Sequence, residues 1–133
     1  MPILAYNYNQ QMSPQAPFVY VTISNTDFSK SEDIPGLIDT GADRTLIPNE
    51  IISKLNFKVN SEIFLTGFSR SEVTSWKTHL AHLGIRGAEL IEIEVVGMSG
   101  ETYAILGRDF LNHYKITLDG PNLTLNIEAN PSR

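Results

Sequence analysis

A chain of 133 residues is the size of one domain, long enough to bury a real core but not two. Its 41% hydrophobic and 19% charged residues make an ordinary globular balance, and a net charge of −5, from 10 basic against 15 acidic side chains, leaves no electrostatic footprint for a nucleic-acid partner. With no cysteine, disulfides, thiolate metal sites and thiol nucleophiles are all excluded.

In chain order, Met1 and the following "PILAYNYNQQMSPQAP" have neither a basic start nor a long apolar stretch, so they are not read as a secretory signal. No run elsewhere approaches the roughly 18 to 20 apolar residues of a membrane helix, so no membrane partner is expected. The expected setting is the cytoplasm, for this chain as it stands or as one trimmed from a longer precursor. Residues 1–16 read as a loosely held arm in which "ILAY" can pair as a short strand, and residues 17–133 as the domain.

"FVYVTIS" (Phe18 to Ser24) is dense in β-branched and aromatic residues and predicts a strand; the polar stretch "NTDFSKSEDIP" separates it from "GLIDTGA". "IPNEIISKLNF" changes period to a short helix, with Pro48 suited to its first turn, Glu50 to its positive end, and Ile51, Ile52 and Leu55 on one side. "EIFLTGF" and "EVTSWKT" flank Ser69-Arg70-Ser71 as a hairpin, "HLAHLGI" and "ELIEIEVV" join around Arg86-Gly87, and "TYAILG" follows a turn at Gly97-Met98-Ser99-Gly100. "RDFLNHY" is again helical in spacing, with Asp109 near its start, and "KITLDGPNLTLNIE" alternates on both sides of Asp119-Gly120-Pro121-Asn122 as a hairpin. The sum is an all-β class with one or two short helices.

Asp39 stands out. It follows Leu37-Ile38 at the end of a predicted buried strand, where a carboxylate must be hydrogen-bonded, paired or protonated. Thr40 supplies a hydroxyl next door, and Gly41 lets the backbone turn tightly enough for N–H groups to face the carboxylate. Taken alone, Asp-Thr-Gly is most simply an Asx-type turn at a strand end. Two other uses of an Asp-x-Gly loop do not fit. The actin- and hexokinase-like phosphotransferases need two large lobes, and the aspartyl-phosphate enzymes need a second acid or a lysine at a fixed place that "DTGADRT" lacks.

A second motif, "AILGRDFL" (Ala104 to Leu111), joins an apolar strand to a glycine, an arginine and a helix. Together, "LIDTGADRTLI" and "ILGRDFL", in this order and at this separation, closely resemble the retropepsin-like aspartic proteases, from about Phe18 to Ile127. "TLIPNEIISKL" and the "KITLDGPNLTLNI" tail look more like bacterial members of that family than compact retroviral ones. The resemblance implies a closed β-barrel-type acid protease fold, active as a homodimer on a peptide or protein substrate without cofactor or metal.

It also implies roles. Two aspartates face one water; one carboxylate takes its proton while the other, protonated, hydrogen-bonds the scissile carbonyl. Asp27, Asp33, Asp43, Asp109 and Asp119 lack the Asp-Thr/Ser-Gly context, so the second acid is expected from a second copy's Asp39. Thr40 matches the position reaching the partner's backbone beneath the dyad, and Gly41 the one approaching both carboxylates and substrate. Asp43 and Arg108 match a pair tying the active-site loop to the helix. Ala42 replaces the serine of pepsin-like relatives, which removes a donor to the ionised dyad and implies a weakly acidic pH optimum. The flap falls at "LTGFSRSEVTSW", where Gly67 is the lone glycine of a tip made of serine and arginine; Gly67, Phe68, Ser69 and Trp76 are the flap candidates.

Other readings are blander. His79 and His82 face opposite sides of an extended strand and, with His113, read as surface or packing residues. Glu92 and Glu94 lie on one side of "ELIEIEVV" as the wet face of a half-buried strand. Against the endopeptidase stand a catalytically weak or inactive peptide-binding or dimerisation module on the same fold, suggested by the unusual flap, and a structural β-domain with a fortuitous Asp turn.

Overall fold

The computed structural model describes residues 3–66 and 73–129. Its elements in order are β1 (Ile3–Asn7), β2 (Phe18–Ser24), β3 (Ser31–Ile38), β4 (Leu46–Pro48), α1 (Asn49–Lys54), β5 (Val59–Thr66), β6 (Val73–Ile85), β7 (Ile91–Met98), β8 (Ala104–Leu106), α2 (Arg108–Leu111), β9 (Tyr114–Asp119) and β10 (Thr124–Ala129). No helix among the described residues is long and apolar enough to cross a membrane.

The larger sheet runs β2-β3-β8-β4-β7-β6 and closes where β6 pairs back onto β2, a six-stranded barrel with β5 attached outside it along β6. Closure removes the open edges that a sheet of this size otherwise presents. Alternation along the strands fills the interior. Val19, Val21 and Ile23 of β2 meet Ile34 and Ile38 of β3, Ile47 of β4, Ala81, Leu83 and Ile85 of β6, Ile93 and Val95 of β7, and Leu106 of β8. Phe110 and Leu111 of α2 join the same core, each such side chain contributing about 1.5–3 kcal/mol of burial.

The short strand expected at "ILAY" is present as Ile3–Asn7. β1 pairs antiparallel with β10 from Ile3↔Glu128 to Asn7↔Thr124, making a three-stranded sheet with β9, and buried Leu125 and Ile127 extend the core beneath it. The hairpin predicted around Asp119–Asn122 is present, with Asn122 N–H and Nδ2 both donating to the Asp119 carboxylate.

Several details differ from the expectations of the sequence. Gly97 and Met98, expected in a turn, are the last residues of β7 and pair with Ile47 and Pro48 of β4, and Tyr114, expected on the second helix, opens β9. β3 begins at Ser31, inside the polar stretch expected to separate two strands, because the turn is confined to residues 25–30, where Asn25 Oδ1 accepts the Lys30 N–H. Pro35 is tolerated there because its strand has only β2 beside it until the β8 pairing starts at Gly36. The strands expected at "EVTSWKT" and "HLAHLGI" run on as one, β6, from Val73 to Ile85, with no turn at the Thr78–His79 junction. Pro48 ends β4 and stands just before α1 rather than within its first turn.

The strand order positions the site. β8 lies between β3 and β4, parallel to the first and antiparallel to the second, although β3 and β4 are joined only by residues 39–45. That loop must therefore arch over the C-terminal end of β8, where Gly107 and Arg108 begin. The topology brings together two motifs far apart in sequence.

Candidate active site

The arch starts with Asp39, whose N–H donates to Leu106 O at 3.1 Å and so continues the β3–β8 ladder one step past the strand. The chain then closes a tight turn. Gly41 N–H donates to Asp39 Oδ1 at 3.0 Å, and Ala42 N–H to the Asp39 carbonyl at 3.2 Å. This is the Asx-type geometry anticipated for Asp-Thr-Gly. A side chain on Gly41 would put its Cβ 3.2 Å from Asp39 Oδ1, crowding the carboxylate. Asp39 is half-buried, Thr40 and Gly41 are exposed, and Ala42 is half-buried.

The second motif grips the arch from below. Arg108 N–H donates to Ala42 O at 2.8 Å, and its guanidinium Nη1 to Thr40 O at 2.8 Å. Gly107 is required by close approach, since a Cβ there would lie 2.6 Å from both the carbonyl carbon and the oxygen of Arg44. Its N–H donates to the hydroxyl of the fully buried Thr45 at 3.1 Å. Thr45 in turn gives its hydroxyl to Asp109 Oδ1 at 2.8 Å and its N–H to Asp109 Oδ2 at 3.1 Å.

Arg108 thus ties loop to helix through backbone carbonyls, and a second tie comes from Thr45 and Asp109. In the single chain no ion pair joins Asp43 to Arg108; Asp43 is exposed, and the guanidinium holds a backbone carbonyl instead. The carboxylate that secures the arch is Asp109, which the sequence marks only by its place at the helix start. Thr45 is missing from the sequence-based candidates altogether. A polar β-branched residue between Arg44 and the apolar pair Leu46-Ile47 is the one signal that points to it.

Among the flap candidates, Gly67, Phe68 and Ser69 lie outside the described residues. Trp76 pairs with Ile63 across the β5–β6 hairpin and is 39% exposed. The histidines are spread apart: His79 Nδ1 lies 3.2 Å from Lys58 O, whereas the His82 ring stacks against Phe28 at 4.4 Å between centroids. Among the described residues no group of three or more His, Asp or Glu could hold a metal ion.

Comparison with known proteins gives one assignment. The family model of the retroviral aspartyl proteases matches residues 13–119. The fold is similar to that of a retropepsin-like aspartic protease from Rickettsia conorii, with a TM-score of 0.64 at 19% identity, covering 97% of this chain and 94% of that one. It is also similar to part of the foamy viral protease-reverse transcriptase, with a TM-score of 0.53 at 18% identity, covering 74% of this chain and 12% of that one. No curated protein matches the sequence. With its Asp-Thr-Gly arch seated on a Gly-Arg-Asp turn inside a closed six-stranded barrel, the chain belongs to the retroviral aspartyl protease family and has the retropepsin-like fold.

Proposed function

We propose that this protein is an aspartic endopeptidase whose water-activating dyad is made of Asp39 from two identical chains. The observation that carries the reading is the state of that carboxylate. Among the described residues its one hydrogen bond is from Gly41 N–H, so one oxygen is held in place and the other is left for a partner. The exposed Thr40 and Gly41 beside it present the loop outward, as a surface that a second copy would cover.

Two carboxylates brought to about 3 Å across a two-fold axis cannot both be ionised, so they share a proton. The ionised member removes a proton from the water as its oxygen attacks the scissile carbonyl; the protonated member hydrogen-bonds the carbonyl oxygen, where negative charge develops. The resulting tetrahedral species collapses as the amide nitrogen accepts a proton and leaves, returning the dyad to its shared-proton state. No cofactor enters these steps.

The roles of the supporting residues follow from where they sit. Thr40 would contact the partner loop beneath the dyad, and Gly41, without a side chain, would let the peptide backbone approach both acids. Ala42 has no hydroxyl to give, and its carbonyl is engaged by Arg108 N–H. Arg108 holds the arch through Thr40 O and takes no part in the chemistry; Asp43, exposed on the arch, would meet substrate or the partner copy. The substrate would be an extended peptide lying between the dyad and the hairpins, its main chain hydrogen-bonded like an added strand.

Incubation of the protein with a mixed peptide library at weakly acidic pH, beside an Asp39→Asn variant, tests the reading. Cleavage by the parent and a loss of roughly four orders of magnitude or more in the variant is expected. Undiminished cleavage by Asp39→Asn would place the activity elsewhere.

A further inference from the structure

The hairpin of β5 and β6 leaves the barrel at a single point. β6 pairs with β7 from Thr78 to Leu83 and with β2 from His82 to Ile85, but from Val73 to Lys77 its partner is β5 alone. β5 in turn is the last strand of its sheet. At the departure point the ladder is irregular, because the register shifts between Val59 and Ser61 and leaves Asn60 as an extra residue. Such a bulge interrupts main-chain pairing and bends the strand.

Side chains take over what the backbone gives up there. Ser61 N–H donates to the Thr78 hydroxyl at 3.1 Å, and that hydroxyl, on a fully buried residue, donates to Glu94 Oε2 at 2.8 Å. Ser61 Oγ lies 2.8 Å from Thr78 Oγ1 and 3.3 Å from Glu94 Oε2, and the Asn60 side chain bonds the same carboxylate. The donors, Thr78 first and Asn60 next, hold Glu94 below the usual carboxylate range, with the Arg44 charge adding in the same direction. On the opposite face of the sheet, His79 Nδ1 lies 3.2 Å from Lys58 O, just before β5 begins. One carboxylate therefore joins three strands where the hairpin departs.

We propose that Glu94 is a positioning residue of the proteolytic reaction: it clasps β5, β6 and β7 together at the root of the hairpin and fixes where the hairpin stands over a bound peptide. This rests on the endopeptidase reading above. An ionised carboxylate suits the task because it only accepts, and can take donors from two strands at once. Removing it takes the carboxylate acceptor from the buried Thr78 hydroxyl and the brace from the bulge.

Amide hydrogen exchange and peptide-library kinetics on Glu94→Ala, Glu94→Gln and Thr78→Val test the clasp. In Glu94→Ala, exchange along Ser61–Thr66 and Val73–Lys77 should rise roughly tenfold, with β2 and β7 unchanged. KM should rise roughly fivefold while kcat stays within about twofold, the pattern of lost substrate grip rather than lost chemistry. Glu94→Gln, whose amide oxygen still accepts, should restore both to within about threefold. Thr78→Val should loosen the same segments, and add nothing further when combined with Glu94→Ala; these two single variants carry the test if Glu94→Ala fails to fold. Unchanged exchange in the hairpin, an equal rise throughout the barrel, or a loosened hairpin with KM unaltered would each overturn the positioning role. Absence of cleavage by the parent protein, with selective loosening intact, would instead retire the endopeptidase reading.

Discussion

At the scale of single residues, the arch depends on atoms that are missing as much as on atoms that are present. Gly107 has φ −87 and ψ 177, a conformation open to any residue, so its need for glycine is purely spatial. A methyl group would meet the Arg44 backbone at 2.6 Å, and backbone, unlike the end of a long side chain, cannot swing aside. Gly107→Ala is therefore expected to cost about 3 kcal/mol of folding stability, read as a shifted urea midpoint, because the loop must lift off the end of β8. A midpoint within error of the parent would mean that the arch is softer than its contacts imply. The sequence displays Asp39 plainly, since a carboxylate after two apolar residues is hard to explain otherwise. It does not display the Asp109–Thr45 tie. That bond joins residues 64 positions apart, one just before β4 and one just after β8, and neither helical nor strand periodicity carries information about such a pair. Asp43, two residues past Gly41, is the acid nearest the motif, but the arch turns it out to solvent and leaves Arg108 to a carbonyl.

At the scale of elements, period-two alternation is a sound guide wherever a strand has one face in the barrel. β2 is legible from end to end for that reason. Alternation fails at β3, where Ser31 and Asp33 face outward and Glu32, on the core side, is paired with Lys54, so the strand's start looks like loop. It also fails to distinguish one long strand from two short ones in β6, because β6 changes partners along its length while its backbone runs on. That change of partners is why the hairpin root needs Glu94, and it gives the root a pH dependence of definite sign. The Glu94 carboxylate is held below its ordinary range by Thr78, Asn60 and Ser61, with Arg44 also favouring the charged form; Lys77 and His79 flank Thr78 on β6 and Glu92 lies two residues before Glu94 on β7. Its contribution is therefore fully present above the usual carboxylate range and is lost only as pH falls through the lowered value. Across weakly acidic conditions the hairpin amides should keep their protection, and in strong acid they should exchange faster than those of β2. Loss of protection already at weakly acidic pH would contradict that sign.

At the scale of the whole molecule, a barrel this small supplies, on the proposed mechanism, half of the chemistry. The closed ring, the sheet of β1, β10 and β9, and the core beneath them are built from one chain, whereas the proposed reaction calls for two. If both acids must come from different chains, mixing parent protein with Asp39→Asn under exchange conditions produces three dimers, of which only the parent homodimer has two acids. Activity should then follow the square of the parent fraction, leaving about a quarter at equal mixing with total protein held constant. Dilution of the parent alone should lower specific activity in parallel with the loss of dimer seen by sedimentation, since a monomer presents one carboxylate and no proton-sharing pair. A monomeric mechanism makes the opposite statement on both counts. It retains half of the activity at equal mixing, and its specific activity does not change on dilution. Because both measurements compare the protein with itself on one peptide mixture, the shape of the mixing curve decides whether Asp39 works as one member of a pair or alone, whatever the physiological substrate.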